Sequence, residues 1–325
     1  MFLSIVTTLY DSAPYLEEFH ARVSRSAAAL VPEYEIVFVN DGSPDTSLDV
    51  ALGLLRRDPH VRIVDLSRNF GHHKAMMTGL AHARGDLVFL IDSDLEEAPE
   101  LLAEFLGTLR ETSADVVYGV QQTRKGGSAE RFTGWLFFKL FNLLSDSPIP
   151  PNVLTVRLMT RRYVNALVAH RERTMMIAGL FALTGFRQVP RTVTKGAKGR
   201  SSYSLGRKIR LFVDSITSFS AQPVVFIFYL GVIIGVSSSL AAVYLVARKL
   251  FFADALAGWP SLIVSVWMLG GLMLISIGIV GIYVSRIFVE AKQRPYTIVS
   301  QIHERTGAGA VAGDVASDVA DVVRK

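Results

Sequence analysis

Two long uncharged stretches constrain this chain more than any other feature of it. Residues 224–247 contain no Asp, Glu, Lys or Arg, and neither do residues 255–285. About 20 consecutive apolar residues cross the hydrocarbon core of a bilayer as a helix, and core helices of soluble domains rarely run so far without a charge. Two transmembrane helices are therefore expected. The link 248–254 is short, so the pair forms an antiparallel hairpin. Composition agrees: 19% of the residues are charged, against about a quarter in ordinary soluble domains.

The flanking charges set the orientation. Arg191, Lys195, Lys198, Arg200, Arg207, Lys208 and Arg210 precede the first stretch, and Arg286, Lys292, Arg294 and Arg305 follow the second. The link carries only Arg248 and Lys249. Lys and Arg gather on the cytoplasmic side of short loops. The expected state is a multi-pass protein of the inner (plasma) membrane, with the large amino-terminal domain and both termini in the cytoplasm. The apolar run from Met1 to Leu9 has no basic residue before it and meets Asp11 at once, so no signal peptide is expected. Neither span carries a charge along which an ion could pass, which argues against a small transporter.

Two further segments suit a membrane surface. In 201–222, Ile209, Phe212, Val213, Ile216 and Phe219 recur at helical spacing beside Arg207, Lys208 and Arg210, the pattern of an interfacial helix. The run 135–144, flanked by Arg131 and containing Lys139, fits either such a helix or a core helix of the soluble domain. From about residue 306 the chain is rich in Gly, Ala, Val and Asp, and a weakly ordered tail is expected there, with a short helix at 315–323. The chain has no cysteine, which excludes disulfides and thiolate chemistry. The excess of 34 Lys+Arg over 29 Asp+Glu is mild and makes no case for a nucleic-acid partner.

The first 120 residues alternate short β-like runs with helical ones. Strands are expected over 2–9, 34–40, 61–66, 86–91 and 115–119, and helices over 14–30, 46–57, 74–83 and 99–112. Such alternation implies an α/β, doubly wound parallel sheet, whose ligands bind beyond the carboxyl ends of the strands. Four of those ends carry polar residues: Tyr10 and Asp11; Asn40 and Asp41; Ser67 to Asn69; Asp92 and Asp94. The phosphate-binding Gly motifs of dinucleotide and P-loop proteins are missing. Asp92-Ser93-Asp94 directly follows a buried strand. Two carboxylates one residue apart suit a hard cation such as Mg²⁺ or Mn²⁺, which binds through one or two carboxylates plus substrate phosphates. His72 and His73 open a helix, either as cap and surface or as contacts to a ligand.

Several segments then resemble one family: Thr8-Leu9-Tyr10-Asp11, Asn40-Asp41-Gly42-Ser43-Pro44-Asp45, Ser67-Arg68-Asn69-Phe70-Gly71-His72, Asp92-Ser93-Asp94-Leu95-Glu96, Arg157-Leu158-Met159, Gly199-Arg200-Ser201-Ser202-Tyr203-Ser204 and Arg294-Pro295-Tyr296. In this order, and with the hairpin, the chain is similar to the membrane-bound polyprenyl-phosphate glycosyltransferases, relatives of dolichyl-phosphate mannose synthase within family 2 of the inverting GT-A glycosyltransferases. The resemblance implies a nucleotide-diphosphate-sugar donor, a polyprenyl-phosphate acceptor, Mg²⁺ or Mn²⁺, and a homo-oligomer that is a tetramer by family analogy.

It also implies residue roles. Thr8, Tyr10, Asp11, Asp41, Asn69, Gly71, Asp92 and Ser93 surround the donor nucleotide, with Asp41 on the base. Asp94 binds the metal, with Asp92 and Glu96 beside it. Arg157, Lys198, Arg200, Ser201 and Arg131 meet phosphate on the acceptor side, and Asp92, Asp94 and Arg200 carry catalysis. Two departures stand out. Asp11-Ser12 replaces the Asn-Glu frequent after the first strand, and Leu154-Thr155-Val156-Arg157 replaces Gly-Asp-Phe-Arg, so the Asp sometimes assigned as base is Thr155. The expected layout is a GT-A domain over 1–200, an interfacial helix over 201–222, the hairpin over 223–286 and a cytoplasmic tail over 287–325. The alternatives are a family 2 enzyme that extends a lipid-linked glycan or polysaccharide, and a non-catalytic nucleotide-sugar-binding membrane protein.

Overall fold

Apolar, β-branched runs at the amino-terminal end build the sheet on which everything else rests. The computed structural model describes residues 1–121, 139, 152–173, 176–194, 220, 222–252, 258–306 and 310–311. Its first unit runs β1 (Phe2–Leu9), α1 (Ala13–Ala28), β2 (Glu33–Asn40), α2 (Ser47–Arg57), β3 (Val61–Leu66), α3 (His72–His82), β4 (Leu87–Leu90), α4 (Leu101–Thr112) and β5 (Val116–Gln121). It continues through β6 (Val153–Thr160), α5 (Arg161–Val168), α6 (Ile177–Leu183) and β7 (Gln188–Val193). After α7 (Gln222–Phe252) and α8 (Trp259–Ala291) the chain contributes β8 (Val299–His303), and β9 (Arg305–Thr306) pairs with β10 (Ala310–Val311).

Eight strands form one sheet in the order β7-β5-β6-β4-β1-β2-β3-β8. The run β4-β1-β2-β3 is parallel, as expected, and its carboxyl ends are level: Leu9 lies opposite Asn40, and Asn40 opposite Asp65. The Ile91 N–H continues the ladder to the Val6 carbonyl, which brings Asp92 level with Thr8. The sheet as a whole is mixed. β6 lies antiparallel between β4 and β5, and β8 lies antiparallel on the outer edge of β3. Residues 287–325 thus do more than trail from the second helix, because part of them covers the edge of the parallel block. A covered edge strand has no open backbone groups with which to pair another chain.

One face of the sheet carries α1, α2 and α4. Leu16, Phe19, Val23 and Ala27 of α1 recur at helical spacing and are buried against strand residues such as Ile5, Ile36 and Phe38. Phe19 tilts against Phe38 at 6.3 Å, and Phe105 of α4 meets Phe89 edge-on at 6.2 Å, the arrangements that aromatic quadrupoles favour. On the other face α3 packs onto β1 and β2 at Gly79. A Cβ there would lie 2.5 Å from Val6 Cγ1 and 2.8 Å from Val39 Cγ2.

The second unit contains α7, which covers the first uncharged stretch, and α8, which covers the second from Trp259 on. The Tyr283 hydroxyl donates to the Ser220 carbonyl within this unit, at 2.6 Å. Among the described residues one segment, Ser265–Ala291, is long and apolar enough to cross a membrane by length and composition; α7 contributes the shorter apolar stretch Gln222–Ser238. Side chains such as Trp267, Met268, Leu274 and Ile287 are exposed on α8. Most of 201–222, all of 135–144 except Lys139, and 315–323 lie outside the described residues.

Gly79 gives the packing a direct test. Alanine at this position gains up to about 1 kcal/mol of helix propensity. It also meets two valines whose χ1 is stiff, and overpacking of this kind costs about 1–3 kcal/mol. Gly79→Ala is expected to lower the thermal unfolding midpoint. Gly53→Ala in α2, where a Cβ meets nothing within 4 Å, is expected to leave it unchanged or raise it.

Candidate functional site

The level carboxyl ends of β1, β2 and β4 place three loops side by side, and short polar side chains lock them together. Ser93 Oγ, buried after β4, donates to the Thr8 carbonyl at 3.0 Å and lies 3.1 Å from Ser12 Oγ. The Ser12 N–H donates to Ser47 Oγ and the Asp11 N–H to Ser43 Oγ. Asp45 gathers this network. Its carboxylate accepts from the hydroxyls of Ser43 and Ser47 and from the N–H groups of Ala13 and Ser47. Desolvation works to raise its pKa, but these hydrogen bonds outweigh it and hold the carboxyl at about 2. The network fixes Asp11 in the left-handed region, with φ of 52°. Left-handed backbone is uncommon for a residue with a side chain and persists only where its surroundings hold it. Leu95, just beyond Asp94, is also left-handed, at φ 59°.

Asp41 is almost wholly buried. Its two carboxylate oxygens accept the N–H groups of Phe70, at 2.7 Å, and Gly71, at 3.0 Å. Burial raises its pKa, and the two backbone donors oppose the rise. The loop after β3 is thereby clamped to the loop after β2. Gly42 lies beneath the same clamp with φ of 57°, and a Cβ on it would stand 2.5 Å from the Asn69 nitrogen. Asn40 adds a side-chain bond to Asp65 at 2.7 Å.

Every donor-side residue expected from the sequence therefore lies on this strand-end surface: Thr8, Tyr10, Asp11, Asp41, Asn69, Gly71, Asp92 and Ser93. Tyr10, Asp11 and Asn69 are exposed there, whereas Thr8, Asp41 and Ser93 are buried supports. Asp92 and Asp94 are partly exposed at the end of β4, and Asp94 Oδ1 accepts the Glu96 N–H at 3.1 Å. Among the described residues no three His, Asp or Glu side chains converge as a metal-holding group, so Asp92, Asp94 and Glu96 do not form the expected trio. The donor set nevertheless fits Mg²⁺ or Mn²⁺. Two carboxylates one residue apart are hard oxygen ligands, and such ions complete their shell with water and substrate phosphate.

His72 belongs to the site, although the sequence leaves it between cap, surface and ligand contact. It opens α3 after Gly71 and makes no side-chain cap. Its Nδ1 lies 3.0 Å from Thr8 Oγ1 and its Nε2 lies 3.4 Å from Asp92 Oδ1. Partial burial lowers its pKa, against the opposing pull of Asp41 and Asp94. The Ser12, Ser43, Ser47 and Asp45 network is likewise unforeseen, although Ser43-Pro44-Asp45 stands within a motif that the sequence singles out.

Arg157 sits on β6 opposite both Leu90 and Tyr118, close to the end of β4. It is 1% exposed. Its guanidinium donates to the carbonyls of Leu154 and Thr155 and lies over the Phe181 ring, 3.1 Å from its centroid. Burial drives its pKa down to about 9, with Tyr163 and Tyr118 opposing. Arg131, Lys198, Arg200 and Ser201 lie outside the described residues. A cavity of about 260 Å³ opens at the opposite, amino-terminal ends of the strands. There Glu304 pairs with Arg62 at 3.0 Å and with Arg84 at 2.9 Å, so the charges largely neutralise one another away from Asp92 and Asp94.

The sequence profile of Glycosyl transferase family 2 matches residues 4–176. The chain is 55% identical over 303 residues to a protein of Mycobacterium tuberculosis described as "Putative glycosyltransferases", covering 93% of this chain and 89% of that one. It is 32% identical over 306 residues to the SfII prophage-derived bactoprenol glucosyl transferase of Shigella flexneri, covering 93% and 99%. Among solved structures, the mannosyltransferase PcManGT of Pyrobaculum calidifontis, in complex with GDP-Man and Mn²⁺, aligns at 17% identity and a TM-score of 0.46, over 89% of this chain and 85% of that one.

The depressed pKa of Asp45 makes the serine network testable by pH. A carboxyl held below its ordinary value of 3.8 contributes stability that is present above that value and is lost as pH falls through about 2. Asp45→Asn is expected to unfold at a lower temperature than wild type at pH 7, with the gap closing between pH 4 and pH 2. A gap of constant size across that range contradicts the assignment.

Proposed function

The chain belongs to glycosyl transferase family 2 and is a glycosyltransferase, and on that premise we propose that it transfers a sugar from a nucleotide diphosphate to a polyprenyl phosphate of the undecaprenyl type. The observation that carries the proposal is the near full-length likeness to bactoprenol glucosyl transferases, in a chain whose described residues also include one segment, Ser265–Ala291, long and apolar enough to cross a membrane. The product is a polyprenyl-monophosphate sugar for modification of cell-envelope glycans. In this reading α7 and α8 cross the inner membrane as a hairpin, and the amino-terminal domain and both termini face the cytoplasm. The acceptor then enters from the bilayer.

The residues divide the work. Tyr10, Asp11, Asp41 and Asn69 border the nucleoside. Asp92 lies toward the ribose and, with Asp94, holds the cation; Glu96 stands near the diphosphate. When bound, Mg²⁺ or Mn²⁺ supplies positive charge against the diphosphate of the donor. Arg131, Lys198, Arg200 and Ser201 offer hydrogen bonds and charge to phosphate oxygens, whereas Arg157, buried with its guanidinium on the Leu154 and Thr155 carbonyls, offers charge alone. Arginine suits this task because its planar fork binds two such oxygens at once.

An acceptor phosphate oxygen attacks the anomeric carbon opposite the leaving diphosphate. One C–O bond forms, the other breaks, and the configuration inverts. Thr155 stands where the resemblance places a carboxylate base, and the loss is tolerable for this acceptor. A phosphate is already anionic at neutral pH and needs no strong base, so positioning and charge stabilisation carry the catalysis.

Purified protein is to be incubated with undecaprenyl phosphate, Mn²⁺ and a panel of nucleotide sugars, and the lipid product read by mass spectrometry. One nucleotide sugar is expected to yield a product heavier by a single glycosyl unit. Chelator or Asp94→Asn is expected to cut turnover by about 100-fold or more while the protein stays folded. Transfer to an oligosaccharide with none to the lipid phosphate contradicts the proposal.

A further inference from the structure

We infer that His72 is a positioning residue that sets the orientation of Asp92 toward the donor and its cation, through a relay of contacts that is anchored on Thr8. The inference rests on the donor-site reading proposed above. It starts from two contacts of one imidazole: Nδ1 lies 3.0 Å from Thr8 Oγ1, and Nε2 lies 3.4 Å from Asp92 Oδ1.

The chemistry of the partners assigns the protons. A carboxylate can only accept, so the nitrogen facing Asp92 is the one that carries hydrogen. In a neutral ring Nδ1 then has a lone pair, and the Thr8 hydroxyl donates to it. The tautomer is thus set from the far side of the ring, as it is for histidines whose second nitrogen is tied to a fixed partner. Thr8 is suited to this because it does not move. It is 7% exposed, it lies one residue from the end of β1 inside the parallel block, and its carbonyl is fixed by Ser93 Oγ.

The backbone beneath His72 is fixed as well. Gly71, which precedes it at φ 101°, donates its N–H to the buried carboxylate of Asp41. The ring therefore stands on one loop tied to β2 and on one hydroxyl tied to β1, and it reaches a carboxylate that follows β4. Asp92 itself sits in a partly exposed turn before the left-handed Leu95. Its Oδ1 is the oxygen that faces His72 Nε2, at 3.4 Å.

The relay predicts which replacements are tolerated. The amide nitrogen of glutamine reaches about as far from the backbone as Nε2, so His72→Gln keeps an N–H facing Asp92, whereas His72→Ala removes that contact. Thr8→Val keeps the shape of Thr8 and loses the hydroxyl that fixes the tautomer.

The test measures binding in the absence of turnover. Mn²⁺ affinity of the full-length protein is read by electron paramagnetic resonance with each common nucleoside diphosphate (UDP, GDP, ADP, CDP, dTDP), and thermal midpoints are recorded in parallel. His72→Ala is expected to weaken the Mn²⁺–nucleotide complex about 10-fold, with His72→Gln within about 3-fold of wild type and Thr8→Val between them. In an Asp92→Asn background, His72→Ala is expected to cost nothing further, because the relay then has no end to act on. The relay is overturned if His72→Ala binds like wild type, if His72→Gln is as weak as His72→Ala at equal thermal midpoints, or if the loss persists in full beside Asp92→Asn. Wild-type protein that binds no nucleoside diphosphate with Mn²⁺ overturns the donor-site reading and the relay with it, whereas wild-type binding with an unaffected His72→Ala overturns the relay alone.

Discussion

Parallel hydrogen bonding between β1 and its two neighbours fixes the position of every group at the strand ends. β1 pairs with β2 along its whole length and with β4 over Leu3 to Val6. A parallel ladder has one register that keeps each apolar residue on its own face, and a slip by one residue would turn every side chain over. That register leaves Thr8, Asp41 and Asp92 side by side at neighbouring strand ends. The loops are then held by charge-assisted and hydroxyl bonds: Asp41 to the Phe70–Gly71 backbone, Asp45 to the serines, and Ser93 to Thr8. Buried supports beneath exposed polar groups are how a site is kept in a ligand-ready shape.

Charge is arranged on the same principle. Asp41 and Asp45 are both carboxylates, yet burial dominates the first and hydrogen bonding the second, so their pKa values move in opposite directions. Arg157 is a third case, a guanidinium enclosed by carbonyls and an aromatic ring. No carboxylate among the described residues is hydrogen-bonded to it. A cation that is buried in this way keeps its electrostatic pull for an anion nearby, because little water screens it.

Much of this is legible in the sequence. The strand at Phe2–Leu9 reads as a continuous apolar run because both of its faces are buried, and the strand at Val61–Leu66 is found at its expected bounds. The polar strand ends are legible because they interrupt those runs. What escapes is non-local. β8 is five residues long and remote in sequence from β3, and nothing in Val-Ser-Gln-Ile-His announces its partner. β6 carries Thr155 and Arg157 within its alternation, so it reads as a motif more readily than as a strand. His72 is ambiguous in one dimension because its two contacts come from residues 64 positions away and, at Asp92, 20 positions on. The serine network is hidden for a similar reason: single serines carry no periodicity.

The central claim is that the donor binds at the carboxyl ends of β1, β2 and β4. Backbone hydrogen exchange, followed with and without nucleoside diphosphate and Mn²⁺, tests it most directly because it reports where amides become protected without presuming the reaction. The account predicts protection confined to residues 8–13, 41–47, 67–73 and 92–96, with the amides around Tyr34, His60 and Arg62 at the other end of the strands unchanged. Protection that falls instead on that opposite cavity, with the strand-end loops exchanging as before, would contradict it.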